Sequence, residues 1–96
     1  PICEGALLAH PKSNALYFSN PSNDAKRINL TIHKSTDAGL TWPVKRVIWP
    51  GLSGTVGYSS MAATAAGIAI IFEGGDQPFR PKNVDRWIKV THLPWF

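Results

Sequence analysis

The sequence predicts an all-β fold, and three observations predict it. The apolar runs are short, and turn residues separate them. Eight glycines and eight prolines punctuate 96 residues, which favours strands and turns over helices. Arg27–Lys34 alternates with period two: Ile28, Leu30 and Ile32 fall on one face, and Asn29, Thr31 and His33 on the other.

Each element follows from the same signals. Gly5–His10 and Asn14–Ser19 flank a Pro-Lys-Ser-Asn turn and read as a hairpin. Arg27–Lys34 is a half-buried strand, Asp37–Gly39 a turn, and Pro43–Trp49 the next strand. The runs beginning at Val56 and Gly67 read as two more strands, joined by a small-residue turn near Ala65–Gly67. The alanines leave a helix open over Ser60–Ala66, but Gly67 and the β-branched Ile68, Ile70 and Ile71 favour strand. Pro78–Lys82 reads as a loop and Val84–His92 as the last strand. The total is about seven strands, or one and a half to two four-stranded sheets. Such sheets have faces and edges to cover, and radial repetition is one way of covering them.

Composition narrows the function classes. The chain makes at most one small domain, residues 1–96. Cys3 is the only cysteine, so no internal disulfide forms, and neither it nor His10, His33 and His92 has metal-ligand spacing. No metal and no cofactor is expected, and His33 and His92 read as surface residues. Net charge is +4, which suits an anionic partner, but the basic residues are scattered. A nucleic-acid-binding β protein would cluster them on one face with exposed aromatics, so nucleic acid is not expected as a partner. No signal-peptide pattern is visible from Pro1, and the apolar stretch Met61–Phe72 is too short for a bilayer span, which needs roughly 20 residues.

"STDAGLTW" (Ser35–Trp42) carries more than a turn needs. It fits Ser/Thr-x-Asp-x-Gly-x-Thr-Trp and resembles the Asp-box found at strand corners of sialidase propellers. The resemblance implies a structural role: Ser35, Asp37 and Thr41 brace the turn by hydrogen bonds, Gly39 takes the strained backbone position, and Trp42 packs between sheets. "CEGALL", "FSNP", "RINLTIHKSTDAGLTWPV", "WPGLSG", "GYSS", "IIFEGG" and "WIKVTHLPWF" occur in the order seen at the C-terminal end of exo-α-sialidases. The flavour is similar to the animal lysosomal-type enzymes.

The resemblance implies that residues 1–96 are the last blades of a six-bladed β-propeller. The parent would remove terminal sialic acids from glycoproteins, oligosaccharides and gangliosides with retention. Arg27 matches the third member of the arginine triad that grips the sugar carboxylate. Tyr58 matches the tyrosine nucleophile, and Glu73 the acid that orients an arginine of the triad. Without the family these residues have plainer roles: a solvated strand arginine, an ordinary aromatic and an exposed strand-end acid. Their chemistry nevertheless suits the substrate. Arginine presents a planar fork to a carboxylate. A neutral phenol avoids the repulsion a carboxylate nucleophile would meet there, but needs a base because phenols ionise near 10.

Between "WPG" and "YSS" the spacing is longer than usual in the family, with the extra residues assigned to Thr55–Gly57, directly before Tyr58. The family's Asp acid/base, the Glu that deprotonates the tyrosine and two further arginines are not matched. The segment is therefore expected to be inactive alone, with the remaining blades and sialylated glycoconjugates as partners. Asn29-Leu30-Thr31 is a glycosylation sequon, and with the resemblance it sets the expectation of a lysosomal or secretory location, with membrane association. The alternative is a non-catalytic Asp-box propeller that binds glycans or proteins. It keeps Ser35–Trp42 but does not need Arg27, Tyr58 and Glu73 together.

Overall fold

Alternation of large and small side chains gives each strand one face to bury, and seven strands result. The computed structural model describes residues 1–51, 56–75 and 86–96, with the Arg86 side chain excepted. Strands β1 (Ala6–Ala9), β2 (Leu16–Pro21), β3 (Leu30–Ser35) and β4 (Val44–Trp49) form one antiparallel sheet in chain order. Strands β5 (Val56–Thr64), β6 (Gly67–Gly75) and β7 (Arg86–Pro94) form a second, also antiparallel and in chain order. The Leu52–Gly54 part of "WPGLSG", Thr55, the expected loop Pro78–Lys82 and the expected strand start at Val84 lie outside the described residues.

Ser60–Thr64, where a helix remained open, belongs to β5, and the turn falls at Ala65 and Ala66. Thr64 closes that turn: its hydroxyl donates to the Gly67 carbonyl at 3.1 Å and accepts from the Gly67 amide at 3.0 Å. Alanine propensity loses here to cross-strand pairing, with Met61 opposite Ile70 and Ala63 opposite Ile68.

A second departure matters more for function. The strand expected from Arg27 begins at Leu30 instead. Asn29 takes φ 57, the left-handed region that Asn tolerates better than most residues. That conformation breaks the period-two pleat, so Arg27, Ile28 and Asn29 do not alternate across a sheet. The segment is fixed by other bonds. Asn29 N–H donates to the Pro50 carbonyl at 2.8 Å, and the Arg27 carbonyl accepts from Val56 N–H at 2.9 Å. Arg27 therefore sits against the first residue of β5.

The sheets pack face to face, with β5 against β1 and β2. Tyr17, Leu30 and Ile32 from one sheet and Val56, Ile68, Ile70 and Phe72 from the other are buried together. Within this apolar layer the Ser19 and Ser59 hydroxyls, both buried, bond each other across the interface at 2.8 Å. Each satisfies the other, which removes the cost of burying them. The C-terminal aromatics seal one end. Tyr17 donates its hydroxyl to the main-chain oxygen of Phe96 at 2.9 Å, and its ring lies 5.5 Å from Trp95 and 5.3 Å from Phe96. Burial pushes the Tyr17 phenol up from its ordinary value, although the bond to Phe96 opposes the shift. At the outer edge Lys89 places its ammonium 4.5 Å from the Trp49 ring and 4.9 Å from the Trp87 ring.

The remaining face of each sheet is open. Leu7 and Val47 are exposed on the first sheet, Ile71, Ile88 and Val90 on the second. Ile71 and Val90 are directly paired across β6 and β7, so they form a contiguous apolar surface.

Candidate functional site

The Asp37 turn is built by its own side chains. Ser35 donates its hydroxyl to Asp37 Oδ1 at 2.8 Å and accepts the Gly39 amide at 2.9 Å. Asp37 Oδ1 also accepts the Thr41 amide at 2.9 Å, and Oδ2 accepts the Thr41 hydroxyl at 2.5 Å. Gly39 has φ 87 and Ala38 φ 62, so the tip turns through two left-handed residues. Trp42 is half-buried, donates its indole N–H to the Gly39 carbonyl at 3.1 Å and lies 6.1 Å from Phe18, both on its own sheet.

Hydrogen bonds from Thr41 and Ser35 hold the Asp37 carboxyl down at about 2. A depressed carboxyl stabilises the fold above its unfolded value, near 3.8, and loses that contribution as pH falls toward its folded value. The melting temperature of the protein is thus expected to fall between about pH 4 and about pH 2. Asp37→Asn should melt lower at neutral pH and lose this part of the pH slope. Thermal unfolding of both forms across that range checks it; parallel curves would refute it.

Arg27, Tyr58 and Glu73 come from three different parts of the chain, and the fold brings them together. The Arg27 guanidinium carbon lies 5.7 Å from the centre of the Tyr58 ring, and Nη2 donates to the Ile2 carbonyl at 2.7 Å. Tyr58 is 49% exposed. Glu73 Oε1 accepts the Tyr58 backbone N–H at 2.7 Å. A cleft of about 230 Å³ runs over this surface, lined by Glu4, Tyr58, Ser60, Ile71, Glu73 and Ile88 among others. Cys3 is close enough that Arg27 lowers its thiol and Glu73 raises it, while burial dominates and pushes it up.

The reach of Tyr58 depends on a break in strand register. Val56 pairs with Gly74 and Ser59 with Phe72, so Gly57 and Tyr58 together oppose Glu73 alone. This is a β-bulge, and it sits where the longer spacing before Tyr58 was noted. Sequence reasoning assigned the extra residues to Thr55–Gly57 but gave Gly57 no role of its own, although an isolated glycine inside a strand pattern signals a bulge or a close approach. It also missed Glu4 and Cys3, which carry no spacing signal.

Asn29 occupies a left-handed turn immediately before β3 rather than a strand position. Thr31 of the sequon is 1% exposed and donates its hydroxyl to the Asn29 carbonyl at 2.8 Å. His33, read as a surface residue, is half-buried and bonds Asn20 Oδ1 at 3.0 Å. Burial, helped by Lys45, lowers its pKa.

No protein-family model matches the chain. A curated sialidase from Micromonospora viridifaciens is 35% identical over 65 residues, covering 67% of this chain and 10% of the bacterial protein. The chain thus spans about a tenth of the length of that relative. This similarity supports a sialidase-like relationship, and the two antiparallel sheets are compatible with a fragment of a sialidase-like propeller. The relative is bacterial, and it lends nothing to the narrower likeness to animal lysosomal-type enzymes.

Proposed function

We propose that the chain is the C-terminal part of a retaining exo-α-sialidase with a six-bladed β-propeller. The observation that carries this reading is the meeting of Arg27 and Glu73 at Tyr58, although Arg27 stands 31 positions before Tyr58 and Glu73 15 after it. A sialic acid bears a carboxylate on its anomeric carbon. Arg27 is suited to accept it bidentately, which would bring that carbon beside the Tyr58 phenol. In the reaction the phenolate oxygen attacks the anomeric carbon as the glycosidic C–O bond breaks. The aglycone oxygen takes a proton from an acid, and water then displaces the phenol to return the sugar with retained configuration. The acid, the base that takes the phenol proton and two more arginines would come from the rest of a longer polypeptide. Residues 1–96 alone are therefore inactive in this reading.

Arg27 supplies the test. In the longest reading frame that encodes this segment, a fluorogenic α-sialoside should be cleaved, and the same fluorophore on a sugar without the carboxylate should not. Arg27→Ala should lower kcat/KM about 100-fold, chiefly through KM, because a charge-assisted bidentate pair is lost. Lysine should restore only part of this, since it lacks the fork. Unaltered kinetics in Arg27→Ala, or no cleavage by the folded parent, would leave the Asp37 turn as the scaffold of a binding module.

A further inference from the structure

Glu73 is expected from the family resemblance to orient an arginine; among the described residues it has a different partner. Its Oε1 accepts the main-chain N–H of Tyr58 at 2.7 Å. That amide lies in the bulge, where the ladder between Val56 and Ser59 is interrupted and a strand amide loses its regular partner. The carboxylate replaces the missing carbonyl, and a charged acceptor makes the bond stronger than a neutral one.

Gly57 makes this bond geometrically feasible. A Cβ at Gly57 would run into Glu73 Oε1, and would stand 3.0 Å from Glu73 Cβ and 3.1 Å from Cδ. The obstruction is one-sided. An alanine at position 57 displaces the carboxylate from the Tyr58 amide, and the Glu73 Cβ, which is fixed to the backbone, must also give by a few tenths of an ångström.

From these contacts we infer that Glu73 is a positioning residue that latches the Gly57–Tyr58 bulge, and that Gly57 is the small residue the latch requires. Its consequence for catalysis rests on the sialidase reading above, in which the Tyr58 phenol is the nucleophile. The bulge sets where the phenol stands over the cleft, and the latch holds the bulge. Fixing a nucleophile to within a fraction of an ångström is a large part of what a catalytic framework does.

Two roles for Glu73 make opposite predictions. A latch needs an acceptor oxygen, which glutamine retains; an arginine partner needs the negative charge, which glutamine loses. In the parent reading frame, Glu73→Ala and Gly57→Ala should each lower kcat about 10- to 100-fold with little change in KM, the range a lost bond to a charged group allows. Glu73→Gln should lose about threefold, clearly less than Glu73→Ala. The Gly57→Ala/Glu73→Ala double variant should be no worse than either single one, because both break the same bond.

A second readout is independent of turnover. Hydrogen exchange at the Tyr58 amide should be slow in the parent and in Glu73→Gln, and faster in Glu73→Ala and Gly57→Ala. Equal losses in Glu73→Gln and Glu73→Ala with a raised KM would overturn the latch in favour of the arginine role, and additive losses in the double variant would overturn it as well. If the parent does not cleave a sialoside but the exchange pattern holds, the latch stands and only the sialidase reading falls. Unchanged exchange in Glu73→Ala would sink the latch whatever the activity.

Discussion

Tyr58→Phe is expected to lower kcat on a fluorogenic sialoside about 1000-fold or more in the parent reading frame, while leaving its melting temperature within about 1 °C. The change removes one oxygen. That oxygen lies on a side chain that is 49% exposed, and among the described residues no hydrogen bond is recorded for it. Stability therefore has little to lose, and the Tyr58 amide still reaches Glu73. Under the proposed mechanism, by contrast, the oxygen is the atom that forms the covalent bond to the sugar. The contrast with Tyr17→Phe makes the test selective. Tyr17 is 1% exposed and its hydroxyl is bonded to Phe96, so that variant should lose stability and keep its turnover. Near-normal turnover by Tyr58→Phe would move the nucleophile elsewhere, and a large drop in melting temperature would show the phenol to be a structural group.

The strands were legible because their signals are local. Alternation and turn residues mark Leu16–Pro21, Val44–Trp49 and Gly67–Gly75 close to their observed limits. The Asp37 turn was legible for the same reason, since the side-chain hydrogen bonds of Ser35, Asp37, Thr41 and Trp42 there fall between Ser35 and Trp42. Arg27, Tyr58 and Glu73 could be selected only through resemblance. Nothing in their spacing says that they meet, and their meeting depends on two backbone irregularities. One is the left-handed Asn29, which delays the start of the strand to Leu30 and leaves Arg27 against Val56. The other is the bulge at Gly57–Tyr58. Both act against the regular pleat that makes a strand readable. The face-to-face packing of Ser19 on Ser59 was likewise illegible, because two serines 40 residues apart look like surface positions until the sheets meet.

The open faces lead to the second large effect, which tests the propeller itself. In the second sheet Ile88 and Val90 are 67% and 69% exposed, and Ile71 lies beside Val90. In the first sheet Leu7 and Val47 are similarly uncovered on the opposite side of the pair. The second sheet thus carries a contiguous apolar outer face, as expected of a stack interrupted on that side. The proposed occupant is a neighbouring sheet of a longer polypeptide, seated over Val90 and the side of the cleft formed by Ile71 and Ile88, which would leave the Tyr58 end as the ligand opening. Covering side chains of this size stabilises by about 1.5–3 kcal/mol each, so the faces are a sizeable loss to a segment left alone. Residues 1–96 expressed by themselves should self-associate and bind a hydrophobic dye. Ile88→Lys combined with the cross-strand pair Ile71→Glu and Val90→Lys should make the isolated segment markedly more monomeric, since it replaces exposed apolar surface by paired charge. In the parent the same three changes would bury charge between sheets and should lower the melting temperature by 10 °C or more, to the order of about 4 kcal/mol or greater. Opposite signs in the two contexts are the signature of a covered face. A parent that tolerates all three substitutions with an unchanged melting temperature would show that this face stays in water, and the stacked-blade architecture would not hold at that edge.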